Sequence, residues 1–199
     1  MKKIGQILTL LKNFRRVRNS LSTLASLYAG DGVCAALGGL TDEELDAVVE
    51  AVKESGVRKV VEIGTLFGFT AREIARRCPE VKVIAVDNFS WNPFGLPASA
   101  HERFTRGVLA EYLANGRIEL VNRDAEEFLA SLANAAETFV FLDGDHRREA
   151  VARELELCLA VGVGHLAGHD FGNELFGVTA AVREKIGEPQ IVKGMVWAK

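Results

Sequence analysis

Three segments rich in apolar residues, without regular polar alternation, constrain this chain most: Val57–Ile63, Val81–Val86 and Thr138–Leu142. A strand with one wet face alternates apolar and polar residues. These do not, so both of their faces must be covered, as in a parallel sheet with helices on either side. Helix-period stretches follow them at Thr70–Arg77, Ala98–Ala114, Ala125–Ala133 and Arg147–Leu159, and two further short strands are expected at Arg117–Val121 and Gly164–Gly168. The expectation is an α/β fold with a doubly wound, mostly parallel, Rossmann-like sheet. Ahead of the first strand, Thr41-Asp42-Glu43-Glu44 reads as a capping box that starts a helix running to Ser55, stopped by Gly56. Past Phe171 a helix is expected over Gly177–Ile186. Pro189–Ala198, broken at Gly194, reads as a closing hairpin with antiparallel character.

A chain of 199 residues suits one domain with a full core. We expect that domain over residues 41–199. Residues 1–40 read as an amphipathic helical extension, with Ile4, Leu8, Leu11, Leu21 and Leu24 on its apolar face. The first 20 residues carry Lys2, Lys3, Lys12, Arg15, Arg16 and Arg18 and no acid, against a net charge of -3 for the whole chain. The extension is expected to pack on the domain or on a second subunit, giving a homodimer, with a membrane surface as the alternative. No nucleic acid is expected as a partner, because the overall charge exerts no pull toward it. No apolar run approaches a membrane span, and Ile7–Leu11 is too short for the core of a signal peptide. Cys34, Cys78 and Cys158 are odd in number and far apart, so they read as small buried hydrophobes, consistent with a cytoplasmic location.

Ligands of doubly wound sheets sit at the carboxyl ends of the strands. Here the ends carry Glu62-Ile63-Gly64-Thr65-Leu66-Phe67-Gly68, Asp87-Asn88, Asn122-Arg123-Asp124-Ala125, Asp143-Gly144-Asp145-His146 and His169-Asp170. Any one acid could be a solvated strand end or a helix cap, but polar residues after five successive strands form a constellation. The first turn lacks the GxGxxG that cradles a pyrophosphate, and the acid Glu62 before it would repel one. A ligand with a positive amino group and no phosphate suits it better.

At these residues the chain resembles the class I S-adenosylmethionine-dependent methyltransferases. VVEIGTLFGFTA looks like their first motif, IAVDN their second and NRDAEEF their adenine-contacting segment. FLDGDHRREAVARELELCLA with AGHDF is similar to the branch of small-molecule and sugar O-methyltransferases, some of them metal-assisted. The resemblance implies an S-adenosylmethionine-binding domain over residues 41–199. Glu62, Gly64, Thr65 and Gly68 would line the methionine end. Asp87 and Asn88 would hold the ribose, Asp124 and Ala125 the adenine, and Asp143 would close the site under the methyl group. Catalysis would fall to His146 as general base with Asp143. The remaining metal ligands would be Asp170 and His169, completing with Asp143 a site for a divalent cation, Mg or Mn. Two departures stand out. Val161-Gly162-Val163-Gly164 replaces the Pro-Gly-Gly of many relatives, and His169-Asp170 replaces the acid-amide pair of the magnesium-dependent branch. Imidazole suits manganese, iron or zinc better than magnesium. Either His169 is not a ligand, or the metal is not magnesium, or no metal binds.

His101 and His165 read as surface or turn residues. Phe89, Trp91 and Phe94, in the loop Asn88–Pro97, read either as cover for the sheet end or as a lid over the site. The expected reaction is methyl transfer from S-adenosylmethionine to a hydroxyl of a small-molecule or sugar acceptor. Two other readings stand beside it: a non-catalytic methyltransferase-like module that binds a partner through its basic helix, and a nicotinamide-dependent oxidoreductase.

Overall fold

A computed structural model describes residues 39–199, and residues 1–38 of the expected N-terminal extension, Cys34 among them, lie outside these. Helix α1 spans Asp42–Ser55. Its capping box forms as expected: the Thr41 hydroxyl accepts from Glu44 N, the Glu44 carboxylate accepts from Thr41 N, and Gly56 at φ 67° ends the helix. The chain then alternates β1 (Lys59–Ile63), α2 (Phe69–Arg77), β2 (Lys82–Asp87), α3 (Ala98–Val108), α4 (Ala110–Ala114), β3 (Ile118–Asn122) and α5 (Ala125–Ala130). It continues through β4 (Thr138–Leu142), α6 (Arg148–Ala160), β5 (His165–Gly168), α7 (Val178–Ile186), β6 (Ile191–Lys193) and β7 (Val196–Ala198).

The seven strands pair in the order β3-β2-β1-β4-β5-β7-β6. The first five are parallel. β7 runs antiparallel to both β5 and β6, so the closing segment is the expected hairpin. All five residues of β4 are buried, which is why its sequence does not alternate. The core divides at the sheet. Val60, Val83, Phe139 and Phe141 face α1 and α2, whereas Val61, Ile63, Val140 and Leu142 face α6 and α7. Each such side chain contributes about 1.5–3 kcal/mol on burial. Cys78 and Cys158 are buried free thiols within these two clusters, as expected.

Two helices differ from expectation. The stretch Ala98–Ala114 is broken at Leu109, whose backbone leaves helical geometry (φ -93°, ψ 1°). Gly107 weakens the helix there, and the break lets Leu109 turn fully into the core. Helix α5 stops at Ala130 because the Ser131 hydroxyl donates to the carbonyls of Glu127 and Phe128. Strand order reverses direction at β1 and β4, which opens a crevice at their carboxyl ends.

Candidate active site

Four strands converge on this crevice. Glu62, 1% exposed on β1, accepts a hydrogen bond from the Thr65 hydroxyl and is pushed up to about 8 by burial and by the charges of Asp143 and Asp87. Burial also raises Asp143, though His169 opposes the shift, and burial raises Asp87. The crevice therefore gathers three carboxyls whose charged forms burial disfavours.

Both glycines of the first turn sit in close packing contacts. Gly64 (φ 85°) carries no side chain because a Cβ would lie 2.3 Å from Gly144 Cα, so it lets the β1 and β4 loops touch. At Gly68 (φ 82°) a Cβ would lie 2.8 Å from Leu109 Cγ. At both positions the missing side chain lets one loop pack against its neighbours.

Between them, Leu66 adopts φ 47°, held from three sides. Its N–H donates to Asp87 Oδ2 at 2.8 Å, and its carbonyl accepts from His101 Nε2 and the Thr105 hydroxyl, each at 2.8 Å. His101 is thus fully buried on α3, not a surface residue. Burial lowers its pKa, which keeps a neutral ring bracing the turn. Asp87 Oδ1 also accepts from Phe89 N at 2.7 Å. Among the described residues, Leu66, Phe89 and Asp170 are three of the four non-glycine residues at positive φ, and each follows a strand at this crevice. Such backbone strain gathers at functional sites.

His146 lies on the loop after β4, with Nδ1 3.1 Å from Asp170 Oδ2 and its ring stacked on Phe176 at 4.5 Å between centroids. Gly177 N donates to the His146 carbonyl, tying it to the loop after β5. At the end of β5, His169 Nδ1 lies 3.3 Å from Asp143 Oδ1 and 3.6 Å from Asp170 Oδ2. Its Nε2 lies 3.3 Å from Glu44 Oε1. Burial alone would lower its pKa, but Asp143, Asp170 and Glu44 lift it to about 9. Glu44 was legible only as a helix cap, and nothing in the sequence placed it here.

The remaining expected residues are more peripheral. Asp124 is exposed and caps α5, accepting from Glu126 N and Glu127 N, with Ala125 beside it. Asn88 is exposed, and its side chain accepts from Ser90 N. Phe94 packs against Phe67 at 5.6 Å and Phe89 is buried, so the aromatic loop mainly covers the sheet end, while Trp91 stays 68% exposed. His165 is the first residue of β5, half-buried at the opposite end of the strands, where it lines a shallow hollow with Phe139, Gln190 and Lys199.

The sequence matches the family model described as a methyltransferase domain over residues 61–171, which runs from β1 through the loop after β5. The chain belongs to this methyltransferase family. Among solved structures, this methyltransferase shares its fold with cofactor-bound Rv0187 from MTB (20% identity, TM-score 0.58, covering 84% of this chain and 82% of that one). It is also similar to an O-methyltransferase from Bacillus cereus in complex with SAH (15% identity, TM-score 0.55, 85% and 76% covered). A third likeness is to an SAM-dependent O-methyltransferase from Thermotoga maritima (13% identity, TM-score 0.54), of which the chain spans 50% while 73% of this chain is covered. No protein of curated function matches the sequence. Among the described residues, no helix is long and apolar enough to cross a membrane.

One atom from each of Asp143, His169 and Asp170 lies within 4.8 Å of the others, a spacing that could hold a metal ion. The residues fit such an ion in a second respect. His169 Nε2 is buried without a hydrogen-bond partner, yet aims at the Glu44 carboxylate. An imidazole that binds a cation through Nδ1 carries its proton on Nε2 and needs an acceptor there.

Proposed function

We propose that this methyltransferase uses S-adenosylmethionine as donor and methylates a hydroxyl of a small-molecule or sugar acceptor. The observation that carries the proposal is the clustering of Glu62, Asp87 and Asp143 at one crevice, all three raised by burial and Glu62 further by the charges of Asp143 and Asp87. A ligand bearing an ammonium and a sulfonium relieves that crowding, whereas a pyrophosphate worsens it. Bound S-adenosylmethionine supplies an activated methyl group on a positive sulfur.

The chain's residues then have the following roles. Glu62, Gly64, Thr65 and Gly68 enclose the methionine end. Each oxygen of Asp87 already accepts one backbone N–H and retains a lone pair for a ribose hydroxyl. Asn88 lies beside the ribose, and Asp124 and Ala125 border the adenine. His146 takes the acceptor's proton on Nε2, because its Nδ1 is engaged by Asp170. Holding the acceptor in line with the methyl carbon supplies much of the remaining acceleration, up to about 7–11 kcal/mol. Asp143, His169 and Asp170 would hold a divalent cation, which would supply charge to steady the acceptor oxygen.

The experiment is a methyl-transfer assay with labelled S-adenosylmethionine against a panel of phenolic and sugar hydroxyls, comparing wild type with His146→Ala. Transfer that depends on His146 supports the reading. An enzyme that binds the donor and methylates only amines or thiols would contradict it.

A further inference from the structure

Glu44 lies outside the segment that matches the methyltransferase family model, on the first helix, yet it reaches the centre of the site. Its carboxylate is 4% exposed and held on both oxygens. Oε2 accepts from Thr41 N and the Thr41 hydroxyl, both at 2.9 Å, and Oε1 accepts from Met195 N at 2.9 Å. The turn between β6 and β7 closes directly on it, since a Cβ at Gly194 would stand 2.7 Å from Glu44 Cγ. The carboxylate is therefore fixed before any ligand arrives, with Oε1 3.3 Å from His169 Nε2.

The other side of the His169 ring meets two carboxylates, with Nδ1 at 3.3 Å from Asp143 and 3.6 Å from Asp170. A nitrogen and two carboxylate oxygens converge there, while the second nitrogen is buried, lacks a hydrogen bond and faces a rigid acceptor. A metal-bound histidine is held in this way: the outer carboxylate takes the far N–H, sets the tautomer and strengthens the near nitrogen as a donor. Magnesium prefers an all-oxygen octahedron and gains little from an imidazole, whereas first-row transition metals bind it well.

We propose that Glu44 is the outer carboxylate of a cation site formed by Asp143, His169 and Asp170, and that this donor set selects a transition-metal dication over magnesium. The proposal rests on the methyltransferase reading for its consequence in catalysis, but its test does not.

The test is titration of the full-length protein with Mn²⁺, followed by the loss of the free-ion paramagnetic resonance signal, with Mg²⁺ as competitor. Wild type is expected to bind Mn²⁺ and to retain it against a hundredfold excess of Mg²⁺. Glu44→Gln keeps a capping side chain, because glutamine also serves at that position of a capping box. It presents an amide where a charge stood and is expected to weaken Mn²⁺ binding about 10–100-fold. Val52→Ala shortens a buried side chain of α1 two turns away from Glu44. It should lower the melting temperature while leaving Mn²⁺ affinity within about twofold, which separates loss of stability from loss of the outer carboxylate. His169→Asn, which offers an amide oxygen, is expected to let Mg²⁺ compete. The proposal is overturned if wild type binds no Mn²⁺, if Mg²⁺ displaces it readily, or if Glu44→Gln binds as wild type does. S-adenosylhomocysteine titrated into the same samples distinguishes the two failures. Its binding without Mn²⁺ binding would remove the cation site and leave the methyltransferase reading standing, and binding of neither would remove both.

Discussion

Nδ1 of His146 lies 3.1 Å from Oδ2 of Asp170, and Asp170 holds that position in a left-handed backbone conformation at φ 59°. Asn173 donates to the other oxygen of the same carboxylate at 3.0 Å. A strained residue with a partner on each oxygen is a fixed support, and it engages Nδ1 of the half-exposed imidazole, which leaves Nε2 for the proposed base. His146→Ala is therefore expected to lower kcat about 10²–10⁴-fold and to leave S-adenosylhomocysteine affinity unchanged. Single-turnover rates with separately measured binding check this, and a variant with undiminished kcat would remove His146 as the base.

Phe176 presses on the same ring at 22° between planes. Phe176→Ala frees the ring without removing its nitrogen. The expected result is a fall in kcat of about tenfold, smaller than for His146→Ala, with the pH profile retained. Parallel pH–rate curves for the two proteins check the distinction.

The strand ends were legible because position along a parallel strand fixes which residues reach the carboxyl edge, whatever the helices do. Glu62, Asp87, Asp143 and Asp170 could be assigned to one crevice on that ground alone. Glu44 could not, because its local pattern is that of a helix cap, and its approach to His169 depends on how α1 lies across β7. His101 was misread for a related reason. A single histidine carries no sign of burial, yet His101, Thr105 and Val108 share a helical stripe at i, i+4 and i+7, and all three are buried. The glycine turn was legible as a turn, but its packing was not, since the neighbour that excludes a Cβ at Gly64 comes from β4, far along the chain.

Asp87 anchors the turns after β1 and β2 through Leu66 N and Phe89 N. Asp87→Ala removes both anchors and the proposed ribose contact. Hydrogen bonds to a charged group contribute about 1.5–3 kcal/mol each, so S-adenosylhomocysteine affinity should fall at least tenfold. Isothermal titration of the folded variant, with circular dichroism to verify the fold, checks the expectation.

Glu154 on α6 is 4% exposed, and burial raises it to about 8, with Asp145, Glu126 and Asp124 adding to the rise. Because the folded pKa lies above the unfolded one, the folded state keeps a proton that the unfolded state releases. Stability is fully present below the unfolded pKa, near 4.5, and declines as pH rises toward about 8. Glu154→Gln should flatten this slope, giving little change at pH 5 and a higher melting temperature at pH 8, about 2–4 °C for each kcal/mol relieved. Thermal melts across that range check it, and a variant whose melting temperature keeps the slope of wild type would show that Glu154 is not its source.

The central claim is that the crevice at the ends of β1, β2 and β4 binds an adenosyl ligand that carries an ammonium group. Its most direct test is thermal unfolding of the purified protein with S-adenosylhomocysteine, with NADH, and with no ligand. At about 100 times the dissociation constant, a specific ligand adds about 2.7 kcal/mol. For a domain of this size that predicts a rise of about 5–10 °C with S-adenosylhomocysteine and none with NADH. No rise at saturating S-adenosylhomocysteine, or an equal rise with NADH, would contradict the account.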